Sequence, residues 1–206
     1  MQRVLSVREP TSVSEALRQP EWKKAMEREL HSIESNDTWD LVPRPAKWKV
    51  IGVTWIFKTK SHSNGTLDKL KARLVARGFS QRPGVDFGDT SAPTARMATI
   101  RIVFAIASSR GWAIFQMDVK SAFLNGDLKE EVYVEQPPGF QTSRKHMVYR
   151  LKKALYGLKQ APRAWNERID AFLQHKLGFT RSMADPSLYF IWSREGSPSL
   201  CFLWMT

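Results

Sequence analysis

Hydrophobic and polar residues alternate with a helical period near the start of the chain. Residues 1–13 read as a loose lead-in, and residues 14–33 then predict helix. Ala16 and Leu17 form a first short turn, and Pro20 suits the start of a helix. Apolar residues then recur at spacings of four, four and three: Trp22, Met26, Leu30 and Ile33. This stripe predicts a packing face and no chemistry.

Two segments with a period of two follow and predict a β-hairpin. They cover residues 50–60 and 67–77, and Asn64-Gly65 between them is a strong turn signal. Alternate residues of a strand point to opposite faces. One face is therefore apolar, with Trp55, Phe57 and Leu74 among its members. The other face is basic and includes Lys58, Lys60, Lys69, Lys71, Arg73 and Arg77.

The C-terminal half of the chain mixes helices with short strands. A helix is predicted over 94–109, ended by Gly111, with one apolar face: Ile100, Val103, Phe104 and Ala107. Strands are predicted at 112–119, 132–135, 147–151, 188–192 and 200–204. A second amphipathic helix is predicted over 164–177, with these residues inward: Trp165, Ile169, Phe172, Leu173 and Leu177. Helices and antiparallel strand pairs are segregated, which indicates an α+β fold class.

Charge changes this picture more than composition does. Hydrophobic residues make up 42% of the 206 residues, enough for a core, yet the net charge is +12 and the pI is about 10. Ten Lys or Arg residues and one acid fall within 44–82, and eight with one acid fall within 144–168. Such blocks favour a polyanionic partner, and a one-sided basic ribbon suits phosphates. A solvated strand face is the alternative interpretation.

The remaining global features restrict the compartment and the redox chemistry. Cys201 is the one cysteine, so neither an intrachain disulfide nor a cysteine-based zinc site can form. No apolar run reaches the roughly 18 residues needed to cross a bilayer. The first residues lack a secretory apolar core, so a cytoplasmic or nuclear location is expected.

Asp118 closes the apolar strand predicted at 112–119. An acid in that position is costly to bury unless it is paired or binds a metal. One interpretation is an N-cap for the next helix. The other is a ligand of Mg²⁺, which prefers carboxylate oxygens and substrate phosphates. A two-metal site needs a second carboxylate, for which Asp127, Glu130 and Glu131 are the local candidates.

Seven segments in order resemble the reverse transcriptase of copia-type retrotransposons. They are residues 22–26 (WKKAM), 55–60 (WIFKTK), 71–79 (KARLVARGF), 116–126 (QMDVKSAFLNG), 135–140 (EQPPGF), 155–165 (LYGLKQAPRAW) and 184–189 (ADPSLY). The resemblance runs from about residue 14 to the end. It implies the fingers and part of the palm of a right-hand polymerase, with 14–110 fingers-like and 111–206 palm-like.

The resemblance also implies roles for individual residues. Asp118, with the Val119 carbonyl, matches a metal ligand of a site that holds two Mg²⁺ ions in the family. Phe123 matches the bulky residue that excludes a ribose 2′-hydroxyl. Deoxynucleotide (dNTP) contacts are implied for Lys71, Arg73, Phe123, Tyr156 and Gly157. Contacts to an RNA or DNA template–primer are implied for Lys58, Lys60, Arg77, Lys159 and Arg163. For Phe123 the alternative is a core phenylalanine, and for Tyr156-Gly157 it is an ordinary turn.

The sequence departs from the family pattern at its last residues. The family has Tyr-Val-Asp-Asp after the strand that here begins at Leu200, whereas this chain reads Trp204-Met205-Thr206. For some codon choices, the nucleotides that encode these residues also encode Val-Asp-Asp in a shifted reading frame. This suggests a frameshift or a misplaced exon boundary. We expect no polymerase activity from a single catalytic aspartate. The alternative function is a non-catalytic nucleic-acid-binding remnant that uses the basic hairpin.

Overall fold

The computed structural model describes residues 8–64, 66–192 and 198–202. Its α-helices are α1 Val13–Arg18, α2 Pro20–Ser35, α3 Met97–Arg110 and α4 Ala161–Ala171. Short 3-10 helices span Gly78–Ser80 and Ala122–Asn125. The strands are β1 Trp39–Pro43, β2 Val50–Ile51, β3 Val53–Ser61, β4 Leu67–Ala76, β5 Asp127–Val134, β6 Met147–Lys153, β7 Thr180–Arg181, β8 Leu188–Trp192 and β9 Pro198–Phe202.

Within the described ranges the strands form three separate sheets. The largest has the order β1-β6-β5-β2, and all its pairs are antiparallel except β2 with β5. Strands β3 and β4 form an isolated antiparallel hairpin, and β7-β8-β9 form a third, antiparallel sheet. Helices thus combine with mostly antiparallel sheets, which confirms the mixed α and β class. None of the described helices is long and apolar enough to cross a membrane.

The two N-terminal helices form as predicted and cover the hairpin. Ser12 Oγ accepts from the Glu15 N–H at 3.2 Å and caps α1, and Pro20 starts α2. Three predicted stripe residues, Trp22, Met26 and Ile33, are completely buried. The Trp22 ring meets Phe57 of β3 edge-on, with ring centroids 5.4 Å apart. Helix α2 and the apolar face of the hairpin therefore share one core.

The hairpin has the predicted difference between its faces, and its register pairs residues that share a face. Lys58 lies opposite Lys71, Lys60 opposite Lys69, and Ile56 opposite Arg73. Trp55, Phe57, Ala72 and Leu74 are buried on the other face. A break at Gly52 separates β2 from β3, so the predicted 50–60 strand is two strands that belong to different sheets.

The strand predicted at 112–119 is absent from the described structure. The segment has no strand pairing, and Ile114, Phe115 and Met117 are 56%, 83% and 83% exposed. Apolar alternation produces a strand only where a neighbouring edge can accept its backbone hydrogen bonds. The described part of the chain pairs no edge with this segment. It runs instead as an irregular extended loop that ends at a turn.

The two later helices differ from their predictions in which faces they bury. Helix α3 ends at Gly111 (φ +64°) as expected, and Ile100 and Ala107 are buried, but Phe104 is 51% exposed. Helix α4 passes at Phe172 into a π-helical segment, Phe172–Lys176. The wider turn breaks the helical period. Leu173 therefore stays buried, while Phe172 and Leu177 are exposed, against prediction.

The last predicted hairpin forms between β8 and β9. Leu188 pairs with Phe202 and Phe190 with Leu200, whereas residues 203 and 204 lie outside the described residues. Tyr189 of β8 is completely buried and donates from its hydroxyl to Asp170 Oδ1 at 2.6 Å. This hydrogen bond links the β7-β8-β9 sheet to α4.

Asp185 caps helix α3 from a distant part of the chain. Arg96 at the N-cap position provides no side-chain cap, and Asp185 Oδ2 accepts from its N–H at 3.4 Å. Asp185 Oδ1 accepts from Ser187 Oγ at 2.6 Å. Burial alone would raise the pKa of Asp185, but hydrogen bonds from Ser187, Thr99 and Arg96 outweigh it and lower the pKa to about 2.

We expect Asp185→Asn to destabilise the fold by about 1 kcal/mol at pH 6, as loss of a helix cap does. The carboxylate has an ordinary pKa of 3.8 when unfolded and about 2 when folded. Its contribution is therefore complete above pH 4 and is lost as the pH falls towards 2. Urea unfolding of both proteins should show curves that converge in that window. A difference that stays constant from pH 6 to pH 2 would contradict this assignment.

Glycines allow the hairpin and the Tyr156-Gly157 turn to touch through their backbones. The Ala76 N–H donates to the Tyr156 carbonyl at 2.7 Å. A Cβ on Gly157 (φ +90°) would lie 2.1 Å from the Ala76 oxygen, and one on Gly78 would lie 1.9 Å from the Gly157 oxygen. No other residue type fits at either position without a backbone shift.

We expect Gly157→Ala to lower the free energy of unfolding by about 2 kcal/mol or more, because it adds both backbone strain and overlap. Gly88→Ala is the matched control, since nothing lies within 4 Å of its added Cβ and its φ is not positive. Thermal unfolding monitored by circular dichroism measures both. Equal midpoints for the two variants would show that the contact is not tight.

Candidate active site

The basic face of the hairpin lines a shallow cleft of about 190 Å³. Its walls are Ile56, Lys58, Thr59, Lys60, Lys71 and Arg73. Because these side chains alternate with core residues on two paired strands, the pleat itself places four cations in one cleft. Such a concentration of positive charge favours phosphate groups.

Side chains from outside the hairpin bind both of its open edges. On the β4 edge, Arg28 of α2 donates to the Leu70 carbonyl at 3.4 Å. On the β3 edge, Glu9 accepts from the Thr59 N–H at 2.8 Å and pairs with Lys58 at 3.2 Å. An isolated two-stranded ribbon is marginally stable. These contacts therefore help to hold the cleft in shape.

Arg73 connects the cleft to two aromatic rings. Its guanidinium carbon lies 5.1 Å from the centroid of the Tyr156 ring, a cation–π geometry. The Tyr156 ring in turn meets Phe123 edge-on, with centroids 4.8 Å apart. Burial raises the pKa of Tyr156, with Arg73 opposing and the carboxylates of Glu29 and Asp118 adding to the rise. Phe123 is half-buried and packs against the core, as the alternative interpretation predicted, and its role at a 2′-hydroxyl stays a prediction.

Asp118 is exposed to solvent. Burial lowers the pKa of Lys71, the nearby cations Arg73, Lys69 and Lys60 lower it further, and Asp118 acts in the opposite direction. The 3-10 helix that follows has Ser121 at its N-cap and no side-chain cap. The N-cap interpretation of Asp118 is therefore wrong. The fold brings together Lys71, Arg73, Tyr156 and Phe123, and the charge of Asp118 affects the pKa of Lys71 and of Tyr156.

The described residues do not supply a two-metal site around Asp118. They contain no group of three or more His, Cys, Asp or Glu side chains that could hold a metal ion. Glu130 pairs with Arg163 at 2.6 Å, and Glu131 accepts from the Tyr133 hydroxyl. Asp127 lies on the strand that pairs with Lys153. Asp118 and the Val119 carbonyl thus do not by themselves fit a pair of Mg²⁺ ions.

The other predicted contact residues are distributed over different surroundings. Lys60, Arg77 and Lys159 are exposed. Gly157 makes the backbone contact with β4 described above, and its contact with a nucleotide stays a prediction.

Arg163 was predicted to contact the template–primer, but its side chain lies inside the fold. It is 9% exposed, and its guanidinium donates to Glu130 at 2.6 Å, to Glu167 at 2.9 Å and to the Asp89 carbonyl at 2.8 Å. Its charge is used inside the fold, where it joins α4 to β5, and is not presented to a nucleic acid.

Sequence reasoning missed the contribution of α2 to this site. Glu29 has a buried Oε1 with no hydrogen-bond partner among the described residues. One turn later, Ser32 Oγ lies 3.2 Å from Ser121 Oγ, at the residue (φ +51°) that begins the 3-10 helix carrying Phe123. The available signal was Glu29 itself: three residues after Met26 and four before Ile33, it is a carboxylate inside the apolar stripe.

The chain belongs to the reverse transcriptase family. Residues 36–201 match the family model described as "Reverse transcriptase (RNA-dependent DNA polymerase)". Enzymes of this family generally use Mg²⁺. The match confirms the family that the sequence motifs indicated.

The curated relatives that the chain resembles include Pol polyproteins of plant transposons. The chain is 45% identical over 185 residues to the retrovirus-related Pol polyproteins from transposons RE2 and RE1 of Arabidopsis thaliana. It is 43% identical over 187 residues to that from transposon TNT 1-94 of Nicotiana tabacum. Each alignment covers 89% of this chain but only 13–14% of the relative, so the chain spans about an eighth of their length. No solved structure matches it.

Proposed function

We propose that this chain provides the fingers and part of the palm of an RNA-directed DNA polymerase. Residues 14–110 are the fingers-like region with the basic hairpin, and residues 111–206 are the palm-like region. Membership of the reverse transcriptase family supports the activity. The single observation that carries the proposal is the contact between Arg73, which lines the cleft with Lys71, and the Tyr156–Phe123 ring pair.

Each of these side chains suits a different part of a deoxynucleoside triphosphate. Lys71 and Arg73 offer positive charge to the phosphates, and the planar guanidinium can donate two parallel hydrogen bonds. The Phe123 ring is assigned the role of excluding a 2′-hydroxyl by contact. Asp118 supplies one carboxylate for the metal chemistry of the family.

The template–primer is proposed to contact the exposed basic residues on and around the hairpin. Lys58, Lys60, Arg77 and Lys159 carry this role, and the ion pair of Lys58 with Glu9 is exposed and exchangeable. Binding through phosphates releases counterions, so affinity should fall steeply with salt. A remnant that only binds nucleic acid would show this salt dependence without binding triphosphates.

We expect the full chain to bind deoxythymidine triphosphate, and the double variant Lys71→Glu, Arg73→Glu to bind it at least about tenfold more weakly. Two attractive charges become repulsive, and each close pair contributes about 1 kcal/mol. The double variant Lys24→Glu, Lys145→Glu is the control, because it makes the same charge change at two exposed residues outside the cleft. Isothermal titration calorimetry measures both.

An RNA–DNA duplex titrated in parallel separates the two functions. Binding of the duplex with no binding of the triphosphate would favour the non-catalytic remnant. Equal losses in the cleft variant and in its control would show that net charge, and not the cleft, governs binding.

A further inference from the structure

Glu9 places a carboxylate at the rim of the basic cleft. Its Oε1 accepts from the Thr59 N–H at 2.8 Å and from the Thr59 hydroxyl at 3.2 Å, and its Oε2 accepts from the Lys58 ammonium at 3.2 Å. Lys58 and Thr59 both line the cleft. Two neighbouring residues of β3 therefore bind one anion through three donors.

The open edge of the hairpin makes these donors available. In the described sheets β3 pairs with β4 alone, so the backbone groups along its other edge have no strand partner. The Thr59 N–H points out of this edge, where it meets Glu9. A backbone N–H, a threonine hydroxyl and a lysine ammonium are also the kinds of donor that proteins offer to the phosphates of nucleic acids.

The charge of Glu9 compensates a repulsion inside the cleft. Lys58 lies directly opposite Lys71 in the hairpin, and like charges in that position destabilise a strand pair. Among the described residues, the lining of the cleft has four cations and no carboxylate of its own. Glu9, which reaches the cleft from the segment before α1, therefore supplies negative charge that a bound phosphate would also supply.

A rotation of the Glu9 side chain is enough to free the three donors. The next residue, Pro10, is buried, and the Ser12 cap of α1 follows it, so the backbone after Glu9 is fixed. The side chains of Glu9 and Lys58 are 35% and 67% exposed, and ion pairs with such access to water are weak. A phosphodiester brings one negative charge and oxygen acceptors, so it can replace the carboxylate donor for donor.

We infer that the Thr59 N–H, the Thr59 hydroxyl and the Lys58 ammonium form a binding site for a backbone phosphate of nucleic acid, and that Glu9 occupies this site until the phosphate displaces it. The inference rests on the proposed function, since that function assigns Lys58 to the template–primer. It adds Thr59 as a contact residue and makes Glu9 a competitor of the nucleic acid. Glu9 precedes the family-matched residues 36–201.

The test compares the full chain with Glu9→Gln, using an RNA–DNA duplex at several salt concentrations. Gln can still accept from Thr59, but it has no charge with which to hold Lys58. We expect Glu9→Gln to bind the duplex about two- to fivefold more tightly at low salt, the range that exposed ion pairs contribute. Glu27→Gln is the matched control, because Glu27 is exposed and lies 3.9 Å from Lys23, away from the cleft.

Salt dependence supplies a second readout, which a merely structural role for Glu9 would not change. In the parent chain a phosphate displaces a carboxylate from Lys58, whereas in Glu9→Gln it displaces a salt anion. We expect the fall of log affinity with log salt to be steeper in Glu9→Gln, by up to about 0.9. Both effects of Glu9→Gln should disappear when Lys58→Gln is also present.

The outcomes separate the inference from the proposed function. If the parent binds the duplex in a salt-dependent way but Glu9→Gln binds it equally or more weakly, the inference is wrong and the proposed function stands. An equal gain in Glu27→Gln, or a gain that persists with Lys58→Gln, would reduce the effect to net charge and also overturn the inference. A gain for deoxythymidine triphosphate and not for the duplex would assign the site to the nucleotide and do the same. If the parent binds neither probe, the proposed function is wrong and the inference with it.

Discussion

The candidate site depends on one close backbone contact, between the end of β4 and the Tyr156-Gly157 turn. The Ala76 N–H donates to the Tyr156 carbonyl at 2.7 Å, and two glycines allow the chains to approach further than any Cβ would permit. This contact fixes the hairpin against the rest of the fold. Ala76 and Arg73 lie three residues apart on the same strand. Fixing the position of Ala76 therefore also fixes the Arg73 guanidinium over the Tyr156 ring. A hairpin anchored a few ångströms away would carry the same charges to an unrelated place.

Helix α2 covers the unpaired β4 edge of the same hairpin. A two-stranded ribbon leaves one row of backbone groups open on each side. Arg28 reaches one of these groups on β4, while Trp22 covers the apolar face through Phe57. The same helix therefore supports both the open edge and the apolar face of the hairpin that carries Arg73.

The sequence predicted the hairpin and its two faces because both follow from local period and turn chemistry. It also predicted α1, α2 and the glycine that ends α3. The sequence-based prediction failed where contacts between distant parts of the chain decide which side chains are buried. Phe104 and Leu177 belong to apolar faces that the described residues leave uncovered. Arg163 counts as surface charge in any sequence pattern, and only the fold reveals its ion pairs with Glu130 and Glu167. Glu29 was visible as an interruption of a stripe, but its neighbours on β4 were not.

The cations and the carboxylate of the candidate site depend on different kinds of interaction. This explains why contacts fix the position of the cations but not that of the carboxylate. Lys71 and Arg73 are placed by a hairpin whose register, edges and end are all determined by contacts within residues 8–64 and 66–192. Asp118 belongs to a segment with strand-like alternation but no strand pairing in the described residues, so no ladder sets its position along or across a sheet. Cation placement is thus a property of this fold. Carboxylate placement requires a paired edge.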